Sequence, residues 1–280
     1  MSIFERLRHH VPRIKHSLGK ALSLGDREYR LSGYHADRLA RDFDDEPHML
    51  PVLRRIFHER DGAFIDVGAN CGQTLVKVLA TDPDRRYFGF EPQLSCCFYI
   101  EQFLRSNEIK TASISPIAMS DTNGMVQLFW DQPNDLTASL HSSHPFNEGE
   151  TRPHSTWVAA RRGDDLIEEL GVGNIAAVKI DVEGLELEVL KGLSETLKGQ
   201  RPVILFEVLT NFFWNKLLED PKIRAEKQGR ADSIFEFLTG LGYSIYRIDG
   251  SGEEHPVQRF ELDERPQFPF VNDGRDYIAH

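Results

Sequence analysis

Three stretches of the chain concentrate residue types that can bind a polar ligand or move a proton. The first, Phe64-Ile65-Asp66-Val67-Gly68-Ala69-Asn70-Cys71-Gly72, is an apolar run that carries an acid near its end and opens into a glycine-containing turn. Gly68 and Gly72 remove Cβ atoms where a chain must bend tightly or touch a ligand, and the free amides at the start of a following helix can receive a carboxylate or phosphate. Asp66 can accept from an ammonium group. The second stretch, Phe88-Gly89-Phe90-Glu91-Pro92, ends another apolar run with a carboxylate, to which a ribose diol can donate two hydrogen bonds. The third, Ala177-Val178-Lys179-Ile180-Asp181-Val182-Glu183-Gly184-Leu185-Glu186, places three carboxylates and a lysine within eight positions.

Spacing narrows the ligand. A dinucleotide site shows G-x-G-x-x-G, whereas the glycines here are spaced G-x-x-x-G with an acid two residues ahead of the first. That pattern favours S-adenosylmethionine over a nicotinamide cofactor, and the chain also lacks a Walker lysine that would bind nucleotide phosphates. The cofactor contacts expected on this reading are Asp66, Gly68, Asn70, Gly72, Glu91, Ser120 and Asp181.

Methyl transfer needs an acceptor atom held in line with the methyl carbon, and a hydroxyl acceptor is helped by a base. Asp181 is the first candidate for the base or acceptor anchor, with Glu183 and Lys179 beside it and Glu207, His141 and His144 further off. Each also has a plainer reading. Glu183 and Glu207 can cap the helices that follow them, Lys179 can be a buried partner for Asp181, and the histidines can be ordinary loop residues. Asp181 and Glu183 together can hold a divalent cation, but hard cations want more oxygen ligands than this pattern assembles, so no metal is expected. Trp130, Trp157, Phe212, Phe213 and Trp214 can stack on a sugar or on adenine, with core packing as the alternative.

The elements that must position these residues follow from periodicity. From Ala63 onward short apolar runs alternate with helical patterns, the signature of βα units around a parallel sheet. The runs are Ala63 to Val67, Tyr87 to Glu91, Ala112 to Ala118, Ala176 to Asp181, Pro202 to Val208, Tyr243 to Ile248 and a short piece near Tyr277, which predicts seven strands. Helices are expected after Gln73, from Leu94 to Asn107, from Asp164 to Leu170 with Gly171 as a stop, from Glu186 to Leu197 and from Ser233 to Leu241. Met125 to Trp130 reads as an added hairpin strand. Asp131 to Ala160 is polar, carries Pro133, Pro145 and Pro153, and reads as a long loop on the substrate side.

With these motifs in place, residues from about 60 to 280 resemble the FkbM-type family of S-adenosylmethionine-dependent methyltransferases. Asp66-Val67-Gly68-Ala69-Asn70 looks like the family's cofactor loop, Phe90-Glu91-Pro92 its ribose acid and Lys179-Ile180-Asp181-Val182-Glu183-Gly184 its most diagnostic stretch. Leu190-Lys191-Gly192 and Leu205-Phe206-Glu207-Val208 also fit. The resemblance implies an α/β fold, a Rossmann-like doubly wound, mostly parallel seven-stranded sheet with its last strand antiparallel. It further implies methyl transfer to hydroxyls of sugars, glycans or polyketide-like small molecules. The N-terminal 60 residues and the Asp131 to Ala160 loop depart from the family's pattern and are expected to set substrate choice. A nicotinamide- or nucleotide-dependent enzyme and a non-catalytic scaffold or sensor on the same sheet are the rival readings.

Composition bounds the rest. The chain has 280 residues, 40% hydrophobic and 28% charged, enough for one catalytic domain over residues 61–280 behind a helical extension over residues 1–60. A formal charge of −11 with no basic block makes nucleic acid a poor partner. No apolar run approaches a bilayer span and no signal-peptide core is evident, so a cytoplasmic location is expected. In the first 24 residues Phe4, Leu7, Val11, Ile14, Leu18 and Leu22 fall at helical spacing among basic residues, interrupted by Pro12. That stretch reads as a helical lid in preference to a membrane-surface helix. Cys71, Cys96 and Cys97 show no metal-binding spacing and are expected to be reduced and structural.

Overall fold

The computed structural model describes residues 20–24, 27–31, 46–131, 138–140, 151, 153–208, 221–260 and 276–280. Thirteen strands and seven helices are found among these residues. In chain order they are β1 (Lys20–Leu24), β2 (Arg27–Leu31), α1 (Met49–Glu59), β3 (Ala63–Val67), α2 (Gln73–Thr81), β4 (Tyr87–Phe90) and α3 (Leu94–Ser106). There follow β5 (Ala112–Ser115), β6 (Ala118–Ser120), β7 (Gly124–Trp130), β8 (His154–Arg162), α4 (Gly163–Glu169), β9 (Ile175–Ile180), α5 (Glu186–Gly192) and α6 (Ser194–Gln200). The last are β10 (Val203–Glu207), α7 (Pro221–Gly240), β11 (Ile245–Ile248), β12 (Glu254–Pro256) and β13 (Asp276–Ala279).

The main sheet has the order β12-β11-β13-β10-β9-β3-β4-β5. Strands β10, β9, β3, β4 and β5 run parallel, and β13 lies antiparallel between β10 and β11. All seven expected runs contribute strands to this sheet, the last one antiparallel, and β12 adds an eighth strand at the edge. Both β3 and β9 are buried along their whole length, as parallel strands covered on two faces must be. Alternate side chains feed two cores. Phe64, Ala177, Leu205 and Ile278 pack towards α1, α2 and α3, while Ile65, Val67, Val178, Ile180 and Ile204 pack towards α4, α5, α6 and α7. The sheet is therefore doubly wound, and its carboxyl edge is left open for a ligand.

Five sequence expectations are corrected. The helical pattern assigned to residues 1–24 gives way at Lys20–Leu24, which pairs antiparallel with β2. In β2 the buried Tyr29 and Leu31 alternate with exposed neighbours, a period of two that a helix cannot satisfy, and Tyr29 packs on Phe103 of α3. The rest of that stretch, residues 1–19 with Pro12, lies outside the described residues. The run from Ala112 to Ala118 divides, because β6 leaves the main sheet to pair with β8 in a three-stranded sheet of order β6-β8-β7.

The stretch from Asp131 to Ala160 is not all loop. Residues 154–160 belong to β8, which pairs with β7 from Gly124↔Ala160 to Trp130↔His154 and buries Val158 and Ala160 beneath an exposed outer face. Pro133, Pro145, His141 and His144 lie outside the described residues. The helix expected over Glu186 to Leu197 breaks at Leu193, where β6 presses on it: a Cβ on Gly192 would stand 1.9 Å from the Ser120 carbonyl oxygen. Finally, α7 starts at Pro221 instead of Ser233. Among the described residues no helix is long and apolar enough to cross a membrane.

Candidate active site at the carboxyl edge of the sheet

The glycine turn is fastened to the ends of three neighbouring strands. The amides of Gly68 and Ala69 both donate to the Phe90 carbonyl, at 2.9 and 3.1 Å, and the Asp181 amide donates to the Val67 carbonyl at 2.9 Å. Gly68 has φ +87°, and a Cβ there would lie 1.8 Å from the Asp181 carbonyl oxygen. Only glycine lets β3 and β9 approach this closely in a left-handed conformation. Gly72, at φ +94°, then turns the chain into α2.

Glu91 follows directly on β4 and is buried. One carboxylate oxygen accepts the Asn70 amide at 2.9 Å and the other accepts the Gln93 amide at 2.8 Å. Burial pushes this carboxyl up to about 7, against the opposing effect of those two amides. Beside it, Phe90, Ile117 and Met119 form an apolar slot in the wall of a cavity of about 260 Å³. Gly68, Asn70, Glu91, Lys179, Asp181 and Glu183 line that cavity, and so does Glu207. The structure thus brings together residues separated by more than a hundred positions.

Lys179 is the hub of the charged floor. Its ammonium donates to the Asp181 carboxylate at 2.9 Å, and Lys179 stands opposite Asp66 in the β3–β9 register. Burial alone would push the lysine down, but Asp181, Glu46 and Asp66 outweigh it and hold its pKa above the ordinary range. Asp66 is fully buried beneath the cavity and does not line it. It accepts the Tyr87 hydroxyl, its Oδ1 has no hydrogen-bond partner, and burial pushes its carboxyl up to about 6 although Lys179 and Tyr87 oppose this. Tyr87 reaches Asp66 because Gly89, the register partner of Asp66, has no side chain: a Cβ there would stand 2.9 Å from the tyrosine ring.

Three expected positions also have local structural roles. Gly72 shapes the turn without lining the cavity. Ser120 is also absent from the lining; its hydroxyl donates to Asp121 at 3.3 Å, and the preceding residues Ile117, Ala118 and Met119 face the cavity instead. Glu183 is held in a left-handed conformation at φ +54°, with its carbonyl accepting the Ser139 hydroxyl at 3.2 Å. Glu186, the first residue of α5, accepts the Gly184 amide at 3.0 Å. All three cysteines are free and buried; Cys71 and Cys96 lie with sulfurs 3.5 Å apart, and Cys97 donates to the Glu91 carbonyl.

Sequence reasoning missed Glu46 and Lys77. Lys77 on α2 is 1% exposed, lines the cavity and donates to Glu46 at 2.8 Å. Burial would push Glu46 up, but Lys77 and Lys179 outweigh it and hold its carboxyl down at about 2. Lys77 left a signal, a lone lysine inside the apolar Leu75-Val76-Lys77-Val78-Leu79, whereas Glu46 left none. Among the described residues, the grouping with metal-ligand geometry is Asp249, Glu253 and His255 around the β11–β12 turn, away from this cavity.

A mostly parallel sheet with β13 inserted antiparallel between β10 and β11, wound on both faces and carrying an acid-rimmed cavity at its carboxyl edge, defines a class I, Rossmann-like methyltransferase fold. The sequence profile described as Methyltransferase FkbM domain matches residues 66–245, more than half of the chain. The chain belongs to that family.

Two curated relatives are similar over part of their length. The hexuronic acid methyltransferase AglP of Haloferax volcanii is 29% identical over 168 residues, covering 59% of this chain and 63% of that protein. The 2-O-methyltransferase NoeI of Sinorhizobium fredii is 27% identical over 166 residues, covering 54% of this chain and 67% of that protein. Among solved structures, the methyltransferase FkbM from Methylobacillus flagellatus KT superposes with a TM-score of 0.42 at 14% identity, covering 79% of this chain and 44% of that one.

Proposed function

We propose that the chain transfers a methyl group from S-adenosylmethionine to a hydroxyl of a sugar or glycan. The observation that carries this reading is Glu91. Its buried carboxylate is fixed by two backbone amides, borders the apolar slot of Phe90, Ile117 and Met119, and shares a cavity with the Lys179–Asp181 pair. A ribose diol donating to Glu91 with a flat base in the slot suits these residues, and Gly68 lets the β3 and β9 ends that frame the cavity approach closely. The two curated relatives, named for methylating a hexuronic acid and a 2-hydroxyl, favour a sugar acceptor.

When bound, the cofactor supplies an electrophilic methyl carbon on a sulfonium. The chain's task is then to place the acceptor oxygen in line and to take its proton. Asp181 stands at the carboxyl edge of β9, and Lys179 holds one of its oxygens, which fixes the carboxylate's orientation and leaves the other oxygen for an acceptor hydroxyl. Glu183 and Glu207 line the same cavity as further acceptors for hydroxyl donors. Lys179 is a positioning residue in this scheme. Ala138, Ser139 and Leu140, described residues of the long connection between β7 and β8, lie in the cavity wall, which supports assigning that connection to the acceptor side.

Calorimetric titration of S-adenosylmethionine and its demethylated product, with NAD as control, tests the reading. Micromolar binding that Glu91→Ala loses is expected, followed by methylation of a member of a sugar panel. A folded protein that binds neither compound would leave the scaffold reading in first place.

A further inference from the structure

The inner face of β7 continues the cavity wall outward to an aromatic ring that the transfer chemistry does not use. On β7, Val126, Leu128 and Trp130 point to one face and pack with Val158, Ala160, Ala138 and Leu140. Four members of this cluster, Ala118, Leu128, Ala138 and Leu140, line the cavity. Trp130 is the next same-face position after Leu128, about 7 Å further along the strand at two residues of strand rise. It is half-buried and does not itself line the cavity. Across the strand pair its register partner is the exposed His154, whose ring lies 6.1 Å away and within 26° of parallel. The wall therefore runs from the charged floor, past Leu128, to a partly open indole about 7 Å of strand beyond Leu128.

We propose that Trp130 is an acceptor subsite: the acceptor is an oligosaccharide, and the sugar next to the one being methylated lays its apolar C–H face on the Trp130 indole. The inference rests on the sugar-acceptor reading above and deepens it. A pyranose has polar edges and an apolar face, and an indole offers a large rigid apolar surface that loses little conformational freedom on contact. The neighbourhood suits such a ligand. The apolar Leu128, Ala138 and Leu140 adjoin the indole, while Ser139 of the same strip turns its hydroxyl to the Glu183 carbonyl at the cavity floor. A monosaccharide held at Asp181 would not extend to this ring, so Trp130 acts only on longer acceptors.

The test uses the full chain saturated with demethylated cofactor, and three disaccharides (cellobiose, maltose and chitobiose) each paired with the methyl glycoside of its monosaccharide. Binding is read by tryptophan fluorescence and calorimetry, and turnover by methyl transfer. For at least one disaccharide, Trp130→Ala is expected to raise KM about tenfold with kcat within about twofold, while the matching monosaccharide is unaffected. Trp130→Phe keeps a ring and bulk, so it is expected to retain most of the affinity while losing the disaccharide-induced fluorescence change. Cofactor affinity should be the same in all three proteins.

Equal loss for monosaccharide and disaccharide, no loss with either variant, or no disaccharide binding at all would overturn the subsite. If monosaccharides are methylated under those outcomes, the sugar-acceptor reading stands without it. Failure of the unmodified protein to bind the cofactor would instead remove the reading on which the subsite depends.

Discussion

Asp66 on β3 and Lys179 on β9 face each other across neighbouring parallel strands, and the lysine reaches onward to Asp181 at 2.9 Å. One buried ammonium thus balances Asp66, Asp181 and, through the field it shares with Lys77, Glu46. The cavity floor and the layer beneath it form a charge cluster whose parts come from four separate segments of the chain.

Removing that ammonium should expose how much the cluster depends on it. With Lys179→Met, Asp66 stays buried and Asp181 and Glu46 half-buried without their shared cation, and breaking a buried pair costs about 3–5 kcal/mol, an upper bound for such partly exposed partners. The penalty should be largest near pH 8, where the acids are ionised, and should shrink on acidification as Asp66, already raised to about 6, takes up a proton. Urea unfolding of both proteins at pH 8 and pH 5 checks this. A penalty that does not change with pH would mean that lost packing, not charge, is responsible.

Asp66 makes a separate statement about stability. Its folded pKa is raised from 3.8 to about 6, chiefly by burial, so between those values the folded protein holds a proton that the unfolded chain has released. Stability from this group is therefore present at low pH and is lost as pH rises through that window, by on the order of 3 kcal/mol. Asp66→Asn should abolish this contribution to the slope while keeping an acceptor for the Tyr87 hydroxyl. The difference between the two unfolding free energies, followed from pH 4 to pH 7, should change in that direction; a flat difference would contradict a buried protonated Asp66.

How much of this was legible follows from where the polar residues sit in the apolar pattern. Asp66, Glu91, Lys179 and Asp181 each interrupt or end a run that must be a buried strand, so their position at the carboxyl edge could be read before any coordinates. The central strands were legible for the same reason: Ile175–Ile180 is buried on both faces and apolar apart from Lys179. By contrast β8 covers the domain with one face only, and its exposed outer residues, next to a proline-rich stretch, resemble loop. The β1–β2 hairpin was hidden because helical spacing and strand alternation both fit so few apolar residues. Glu46 enters the site by tertiary approach alone, which no local pattern records. The close passage of Ser120 over Gly192, which ends α5, is likewise a contact between distant segments.

If Asp181 takes the acceptor proton, its replacement should separate chemistry from binding. Asp181→Asn keeps the shape and an oxygen that can accept from Lys179, yet cannot act as a base, and loss of a general base lowers kcat by about 10²–10⁴-fold. Cofactor affinity should fall by no more than about threefold, because the amide preserves the local packing. Single-turnover methyl transfer together with calorimetry distinguishes the two effects. Full activity in the variant would move the proton-accepting role to Glu183 or Glu207, which share the cavity.

On the proposed reading, Glu91 should make cofactor binding itself sensitive to pH. Burial raises its carboxyl to about 7 in the ligand-free protein, whereas a ribose diol donating two hydrogen bonds favours the ionised form. Binding should therefore draw a proton off Glu91, and affinity should weaken as pH falls below about 7, approaching tenfold per pH unit, while staying level above about 8. Glu91→Gln has no proton to release, so it should bind more weakly at pH 8 and show no such slope. Calorimetry at pH 6, 7 and 8, repeated in buffers of different ionisation enthalpy, measures both affinity and proton release. An affinity constant from pH 6 to 8 in the unmodified protein, with no proton released, would show that Glu91 does not meet the cofactor's diol as a carboxylate, and the apolar slot beside it would then need a different occupant.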